Sequence, residues 1–316
     1  MKEYFIWSER YRPHTVKKCI LPPTLKATFQ AFVDQKSIPN IMLSGVAGCG
    51  KTSVAMAMLD EIDADWIKVN ASINRGIDTV RNEIMDFASS VSLKGGRKFI
   101  ILDEADGLNG MAQDGLKALI EEFSSNAGFI ITCNHKDKII PELHSRFALI
   151  EFNYSKADLP IVGKEFLDSL CNILTAENVT YDKKTLAHFI QRVYPDWRKM
   201  LNELQTYSVK SHTIDEGILS LNKGESLDDL LIMLKGKKWQ DMRKWVGENY
   251  TSVNNFNSFA TRLLTQLKDK VQNSCLPSYV VLYNEYDYKQ AFVLDKEINV
   301  VAFLTQVMAE CVFKNL

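Results

Sequence analysis

Residues Gly45–Thr52 read GVAGCGKT and follow an apolar run, Ile41–Leu43. They match the phosphate-binding pattern GxxxxGK followed by Ser or Thr at every fixed position. A loop that wraps a polyphosphate must turn tightly and bring its backbone N–H groups close to the oxygens. Gly45, Gly48 and Gly50 allow both. A helix beginning near Lys51 would aim free N–H groups and its positive dipole end at the phosphates. Lys51 would neutralise β- and γ-phosphate charge, and Thr52 would offer its hydroxyl to Mg2+. Cys49 and Ser53 belong to the same cradle. The bland alternative is a chance match or a degenerate loop.

Around this loop, short apolar or β-branched runs alternate with amphipathic stretches. The runs Asn40–Ser44, Asp65–Asn70, Lys98–Asp103, Gly128–Cys133 and Ala148–Phe152 predict five buried strands. Thr52–Glu61, Ile77–Ala88 and Met111–Phe123 predict helices between them. Alternation of this kind implies a parallel sheet covered on both faces. After about Asn153 the strand signals stop. Lys156–Lys210 reads as helices, with apolar spacing through Phe166, Leu170, Leu174, Leu186 and Phe189. A polar break at Asn222–Ser226 precedes further helical patterns at Leu227–Leu234, Trp239–Val246, Phe256–Val271 and Val300–Phe313. The expected organisation is α/β plus all-α: a nucleotide-binding domain at 1–153, a helical domain at 154–222 and a second helical domain at 223–316.

Composition bounds the remaining possibilities. The 316 residues predict two or three domains, and 46% apolar with 24% charged residues is ordinary for a soluble globular chain. Six scattered cysteines form no CxxC pair and five histidines form no HExxH. Neither a zinc site nor a disulfide framework is expected, and a reducing compartment fits. No apolar run approaches twenty residues, so no membrane span is predicted. The start MKEYFIWSERYRP lacks the uninterrupted apolar stretch of a signal peptide. Formal net charge is -1. Any nucleic-acid contact must then come from a local basic patch or from several copies acting together.

A second motif completes the phosphate site. In FIILDEAD (Phe99–Asp106), four apolar residues make a central strand and Asp103 emerges at its C-terminal end, where sites on open parallel sheets lie. Asp103 would hold Mg2+ through water or Thr52. Glu104 can orient a water for attack on the γ-phosphate, which distinguishes a hydrolase from a small-molecule kinase. An Asp-Glu pair alone would more often be a solvated loop. FIITCN ends in Asn134, which could position the same water or could be a turn-forming Asn.

With these residues placed, the chain resembles the AAA+ ATPases, and more narrowly clamp-loader ATPase subunits. WSERYRP (Trp7–Pro13) is similar to the N-terminal box of replication factor C small subunits. So are VNASINRGIDTVRNEIMDFA (Val69–Ala88), LHSRFALIEF (Leu143–Phe152) and PDWRKMLNELQ (Pro195–Gln205). Phe147 stands where the family has Cys. KCILP (Lys18–Pro22) and the short C-terminal region resemble the T-even phage branch. The motifs run in order from Trp7 to Gln205.

The resemblance implies roles that composition does not. Ser8, Glu9, Arg10 and Tyr11 would lie against adenine, with Ile20 on its apolar face. Arg146 resembles an arginine finger reaching into the next subunit's site; its fixed charged fork suits a transferring phosphoryl group. Outside the motif, a surface salt bridge would be the default reading. Arg198 resembles the arginine of the second, lid domain that contacts the γ-phosphate. Arg75 and Arg81, near the start of a helix facing a central channel, suit DNA phosphates, although they could be solvated helix charges. Gln113 and Lys117, at i and i+4, would share a DNA-tracking face. Arg75 could also hold Glu104 inactive until DNA arrives. Phe87–Leu93 would touch the sliding clamp or form a core edge. The last helices would make a collar joining subunits or a private core.

The implied protein is an ATP- and Mg2+-dependent clamp-loader subunit in the cytoplasm, that of an infected bacterium if phage-encoded. Its implied partners are several copies of itself, a smaller non-ATPase loader subunit, a sliding clamp and primer–template DNA. A helicase loader or junction motor, and a non-hydrolysing structural subunit, are the alternatives.

Overall fold

The computed structural model describes residues 5–71, 77–92, 95–155, 157–220, 227–253, 255–272 and 274–314. Arg75, Gly76, Leu93 and the break at 222–226 lie outside these. The chain forms two compact units, Met1–Glu216 and Gly217–Leu316.

The first unit is built on a five-stranded parallel sheet of order β2-β3-β4-β1-β5. The strands are β1 Ile41–Ser44, β2 Trp66–Asn70, β3 Lys98–Asp103, β4 Ala127–Cys133 and β5 Ala148–Glu151. They follow the five expected runs to within one residue at each end. The three inner strands are buried almost throughout, because helices cover both faces; their apolar runs are continuous for that reason. The edge strands β2 and β5 are partly exposed and tolerate Lys68 and Glu151.

Helices α1 Trp7–Arg10, α2 Pro23–Asp34, α3 Lys51–Glu61, α4 Ile77–Ser89, α5 Gly110–Glu122 and α6 Pro141–His144 surround the sheet. On α3, Val54, Ala55, Ala57, Met58 and Leu59 are all buried. The small alanines let this helix approach the sheet on a wide face. Asn109 caps α5, accepting from the Ala112 N–H at 2.9 Å. Phe147 is buried in the core that α5 covers, so the side chain following Arg146 serves packing.

Three further helices, α7 Leu159–Ala176, α8 Lys183–Val193 and α9 Trp197–Ser211, belong to the same unit. Asp182 and Asp196 cap α8 and α9 by accepting from Thr185 and Lys199 N–H groups. A parallel pair of two-residue strands, β6 Thr180–Tyr181 and β7 Thr213–Ile214, corrects the expectation that strands end near Asn153. Two residues are too few for an alternating pattern to register.

The second unit is helical: α10 Gly217–Ser220, α11 Leu227–Lys235, α12 Trp239–Glu248, α13 Tyr250–Val253, α14 Phe256–Lys270, α15 Cys275–Gln290 and α16 Lys296–Glu310. Phe256, Tyr279 and Tyr286 all meet Phe303 edge-on, and the Tyr279 hydroxyl donates to the Ala260 carbonyl at 2.7 Å. Helix α15 is not among the expected segments. Its run SYVVLY favours a strand, and Pro277 reads as a breaker. Pro277 falls in the first turn, where a missing N–H costs no hydrogen bond. Cys275, Tyr279, Leu282 and Tyr286 then form one buried face. Among the described residues, no helix is long and apolar enough to cross a membrane.

Candidate nucleotide site

A cleft of about 1120 Å3 opens at the C-terminal ends of the strands, walled by the N-terminal arm, the phosphate loop, the strand tips and the lid helices α7 and α9. The register explains the convergence. Ser44 pairs with Cys133 and Asn70 with Asp103, so β1 to β4 end at one level. The loop after β1, the carboxylates after β3 and Asn134 after β4 therefore meet.

Gly50 is left-handed (φ 99°) and caps α3, as the tight turn requires. Lys51 is buried, with its Nζ donating to the carbonyls of Gly45 and Val46, each at 2.8 Å, and to Asn134 Oδ1 at 2.9 Å. The Thr52 hydroxyl donates to Asp103 Oδ1 at 2.6 Å. Thr132 joins the site without any signal in the motifs; its hydroxyl donates to the same oxygen at 2.7 Å and accepts the Glu104 N–H at 3.0 Å. Glu104 holds a left-handed backbone (φ 58°) with an exposed side chain in the cleft wall. Asp106 is a further addition, accepting from the N–H groups of Asn134 (3.3 Å) and His135 (3.1 Å) and so fixing the tip of β4.

Gly48, Cys49, Ser53 and Arg198 line the cleft, as do Ser8, Glu9, Tyr11 and Ile20. Burial raises the Cys49 thiol pKa. The Tyr11 hydroxyl donates to Glu177 Oε1 on the lid at 2.5 Å. Arg10 is a correction: its guanidinium turns to the same carboxylate at 2.8 Å, and it is not part of the cleft wall. Arg12 lines the wall in its place and pairs with Glu9 at 2.5 Å. The side chain pointing into the cleft is set by the turn after α1, which spacing alone does not reveal.

The lid grips the phosphate loop directly. The Tyr154 hydroxyl donates to the Cys49 carbonyl at 2.8 Å, and the Trp197 N–H donates to the Gly48 carbonyl at 3.1 Å.

Arg146 lies outside the cleft. Its guanidinium pairs with Glu121, Nε donating at 3.1 Å, and its Nη1 donates to the Glu142 carbonyl at 2.7 Å. That pairing holds the Glu121 carboxyl below its ordinary range. Gln113 is a second correction. It is buried, Nε2 donating to the carbonyls of Leu108 (3.1 Å) and Lys138 (2.9 Å) while Oε1 accepts the Ile140 N–H at 2.8 Å. It ties α5 to the segment before α6 and is not available to DNA. Lys117 is half-buried on the same helix and Arg81 is exposed on α4.

This fold and cleft define the class. A model of the ATPase family associated with various cellular activities matches residues 41–154. A Thermotoga maritima RuvB variant shares the fold, with TM-score 0.53 and 16% identity over 66% of this chain and 71% of that one. The chain is an AAA+ ATPase. Residues 162–220 match the sliding-clamp-loader large subunit AAA+ ATPase lid domain. Over 320 residues the chain is 32% identical to the sliding-clamp-loader large subunit of Enterobacteria phage T4, covering 99% of this chain and 98% of that protein. Its counterpart from Escherichia phage RB69 is 32% identical over 321 residues, with the same coverage. A replication factor C small subunit from Sulfurisphaera tokodaii is 31% identical over 244 residues, 74% of this chain and 72% of that one. The chain belongs to the sliding-clamp-loader large-subunit family.

Proposed function

We propose that several copies of this chain, with a smaller non-ATPase loader subunit, use ATP to open a sliding clamp and place it on primer–template DNA during replication. The reading assigns 1–153 to the ATPase domain, 154–222 to the lid and 223–316 to a collar that joins subunits. One observation carries it. Lys51, Thr52, Asp103, Glu104 and Asn134 converge in one cleft, while Arg146 lies outside that cleft. A pocket built this way is finished by the arginine of a neighbouring copy.

Within the pocket, Lys51 exchanges its loop carbonyls and Asn134 for phosphate oxygens when nucleotide binds. Asn134, released, and Glu104 orient the attacking water. Arg198, on the lid helix, reaches the γ-phosphate, so lid angle reports which nucleotide is bound. Arg146 from the neighbour stabilises charge on the transferring group. The donor set fits Mg2+. Among the described residues there is no cluster of three or more acidic, His or Cys ligands. Asp103 and the Thr52 hydroxyl instead offer the sparse oxygen set of a cation that keeps waters and shares substrate phosphates. Bound there, Mg2+ would neutralise charge on the phosphate oxygens.

Arg75, Arg81 and Lys117 supply positioning contacts to DNA phosphates, a handful per subunit that sums around a ring. In this reading Arg75 restrains Glu104 until DNA competes for it. The stretch beginning at Phe87 faces the clamp. ATP hydrolysis measured with and without primed template and cognate clamp tests the whole. Stimulation by both together, abolished by Arg146→Ala, is expected. Stimulation by branched DNA alone, with no response to a clamp, would favour a junction motor.

A further inference from the structure

The metal-site carboxylate faces a second lysine. Asp103 Oδ1 already accepts from the Thr52 and Thr132 hydroxyls. Its other oxygen, Oδ2, lies 3.7 Å from Lys68 Nζ. Lys68 comes from the edge strand β2, the neighbour of β3, and lines the same cleft. Lys51 approaches from the β1 side and is held by two carbonyls and Asn134. The two ammonium groups thus flank the strand tips from opposite directions. Their situations differ: Lys51 is buried, whereas the Lys68 side chain is 39% exposed. At 3.7 Å it is within ion-pair range of Oδ2 but beyond a hydrogen bond. Its long stem leaves it free to swing towards solvent or the phosphates.

We propose that Lys68 is a positioning residue, a built-in counter-ion that stands on the face of Asp103 where a divalent cation would act. The inference rests on the Mg2+–nucleotide reading of the cleft. With Lys68 in place, nucleotide free of metal meets a neutralised carboxylate and still binds. A divalent cation must displace the ammonium to reach Oδ2. Removing the positive charge leaves Asp103 bare. Metal-free nucleotide is then repelled, and the cation meets no competitor. Lys68 therefore lowers the dependence of nucleotide affinity on Mg2+.

The test is equilibrium binding of a fluorescent ATP analogue to the full chain, in excess Mg2+ and in excess EDTA, for the wild-type chain, Lys68→Met and Lys68→Arg. The ratio of the two affinities should rise about fivefold in Lys68→Met, the scale of one exposed ion pair, and return towards wild type in Lys68→Arg. The Mg2+ concentration at half-maximal binding should fall in Lys68→Met. Thermal melting of each variant confirms that the fold is kept. A ratio in Lys68→Met within twofold of wild type, with nucleotide bound by both, would overturn the role of Lys68 and leave the nucleotide site standing. A wild-type chain that binds no nucleotide in either condition would overturn the site and this inference with it.

Discussion

Trp197 donates its backbone N–H to the Gly48 carbonyl at 3.1 Å, joining the first residue of lid helix α9 to the phosphate loop. The cap of that helix presses on the same glycine. A Cβ added at Gly48 would lie 1.8 Å from Asp196 Oδ1, and the backbone there has φ +73°. Gly48 is thus required by the lid as well as by the turn. Gly48→Ala must displace the Asp196 carboxylate and so disturb the cap of the helix that carries Arg198. Strain of this kind costs on the order of 1–3 kcal/mol. A lower melting temperature and roughly tenfold or more weaker ATP binding are expected, with partial recovery in Gly48→Ala/Asp196→Ser. Wild-type affinity in the single variant would show that the lid and the loop are not coupled through this glycine.

Glu104 sits on a left-handed residue whose N–H is held by Thr132. Its side chain lines the same cleft as Lys51 and Thr52. Glu104→Gln keeps size and backbone but loses the charge that, in the proposed mechanism, orients the attacking water. Hydrolysis should fall by about 10²–10⁴-fold, the usual scale for a general base, with ATP affinity near wild type. Phosphate release and equilibrium binding, measured side by side, separate the two effects. A parallel loss of affinity would place Glu104 in binding instead.

Arg146 is held by Glu121 and the Glu142 carbonyl within its own chain. This exposed pairing contributes little to stability. Arg146→Ala should leave the melting temperature and single-chain nucleotide affinity nearly unchanged, yet lower turnover of the assembled particle by about a thousandfold or more. Arg146→Lys should not restore it, because a point charge lacks the planar fork. An isolated chain that turns over at the assembled rate would remove the reason for an arginine from outside.

Much of this is readable because the decisive residues lie close to one another along the chain. The loop from Gly45 to Thr52 and the DEAD segment each carry a strand end and its polar tip together, and continuous apolar runs mark the inner strands. What stays hidden depends on tertiary registration. Thr132 reaches Asp103 because β3 and β4 pair in a particular register. Tyr154 and Asp196 reach the loop across 105 and 148 residues of sequence. Gln113 reads as a surface polar residue; burial and three backbone partners make it structural. Helix α15 is masked by its own β-branched and aromatic side chains, whose local preference packing overrides.

Alkaline pH should weaken the first unit through Cys19. Burial pushes this thiol from about 9 up to about 12. The folded state therefore favours the protonated form. Its contribution is fully present below pH 9 and is lost as pH rises towards 12, because the unfolded chain ionises first. By pH 10 the loss is about 1 kcal/mol. Melting temperature should decline above pH 9, and Cys19→Ala should flatten part of that slope. A slope identical in the variant would place the sensitivity elsewhere. The same displacement makes Cys19 slow to alkylate at pH 8 in the folded protein.

Gln113 and Lys117 share helix α5 but should respond oppositely to mutation. Gln113→Leu removes the acceptor of the Ile140 N–H and the donor to two carbonyls, leaving buried backbone groups unpaired. A loss of about 1–3 kcal/mol is expected. The salt dependence of DNA binding by the assembled, folded variant should be unchanged, since Gln113 neutralises no phosphate. Lys117→Ala lies at the half-buried surface and should leave stability within about 0.5 kcal/mol of wild type. If Lys117 meets a phosphate in each copy, the variant should bind DNA more weakly. Its slope of log affinity against log salt should then be shallower, by about one for each phosphate left without its lysine. Denaturant unfolding and DNA titrations at several salt concentrations check both. An unchanged slope in Lys117→Ala would remove this residue from the DNA path, and a changed slope in folded Gln113→Leu would show that α5 is repositioned on the duplex when its tie to Ile140 is cut.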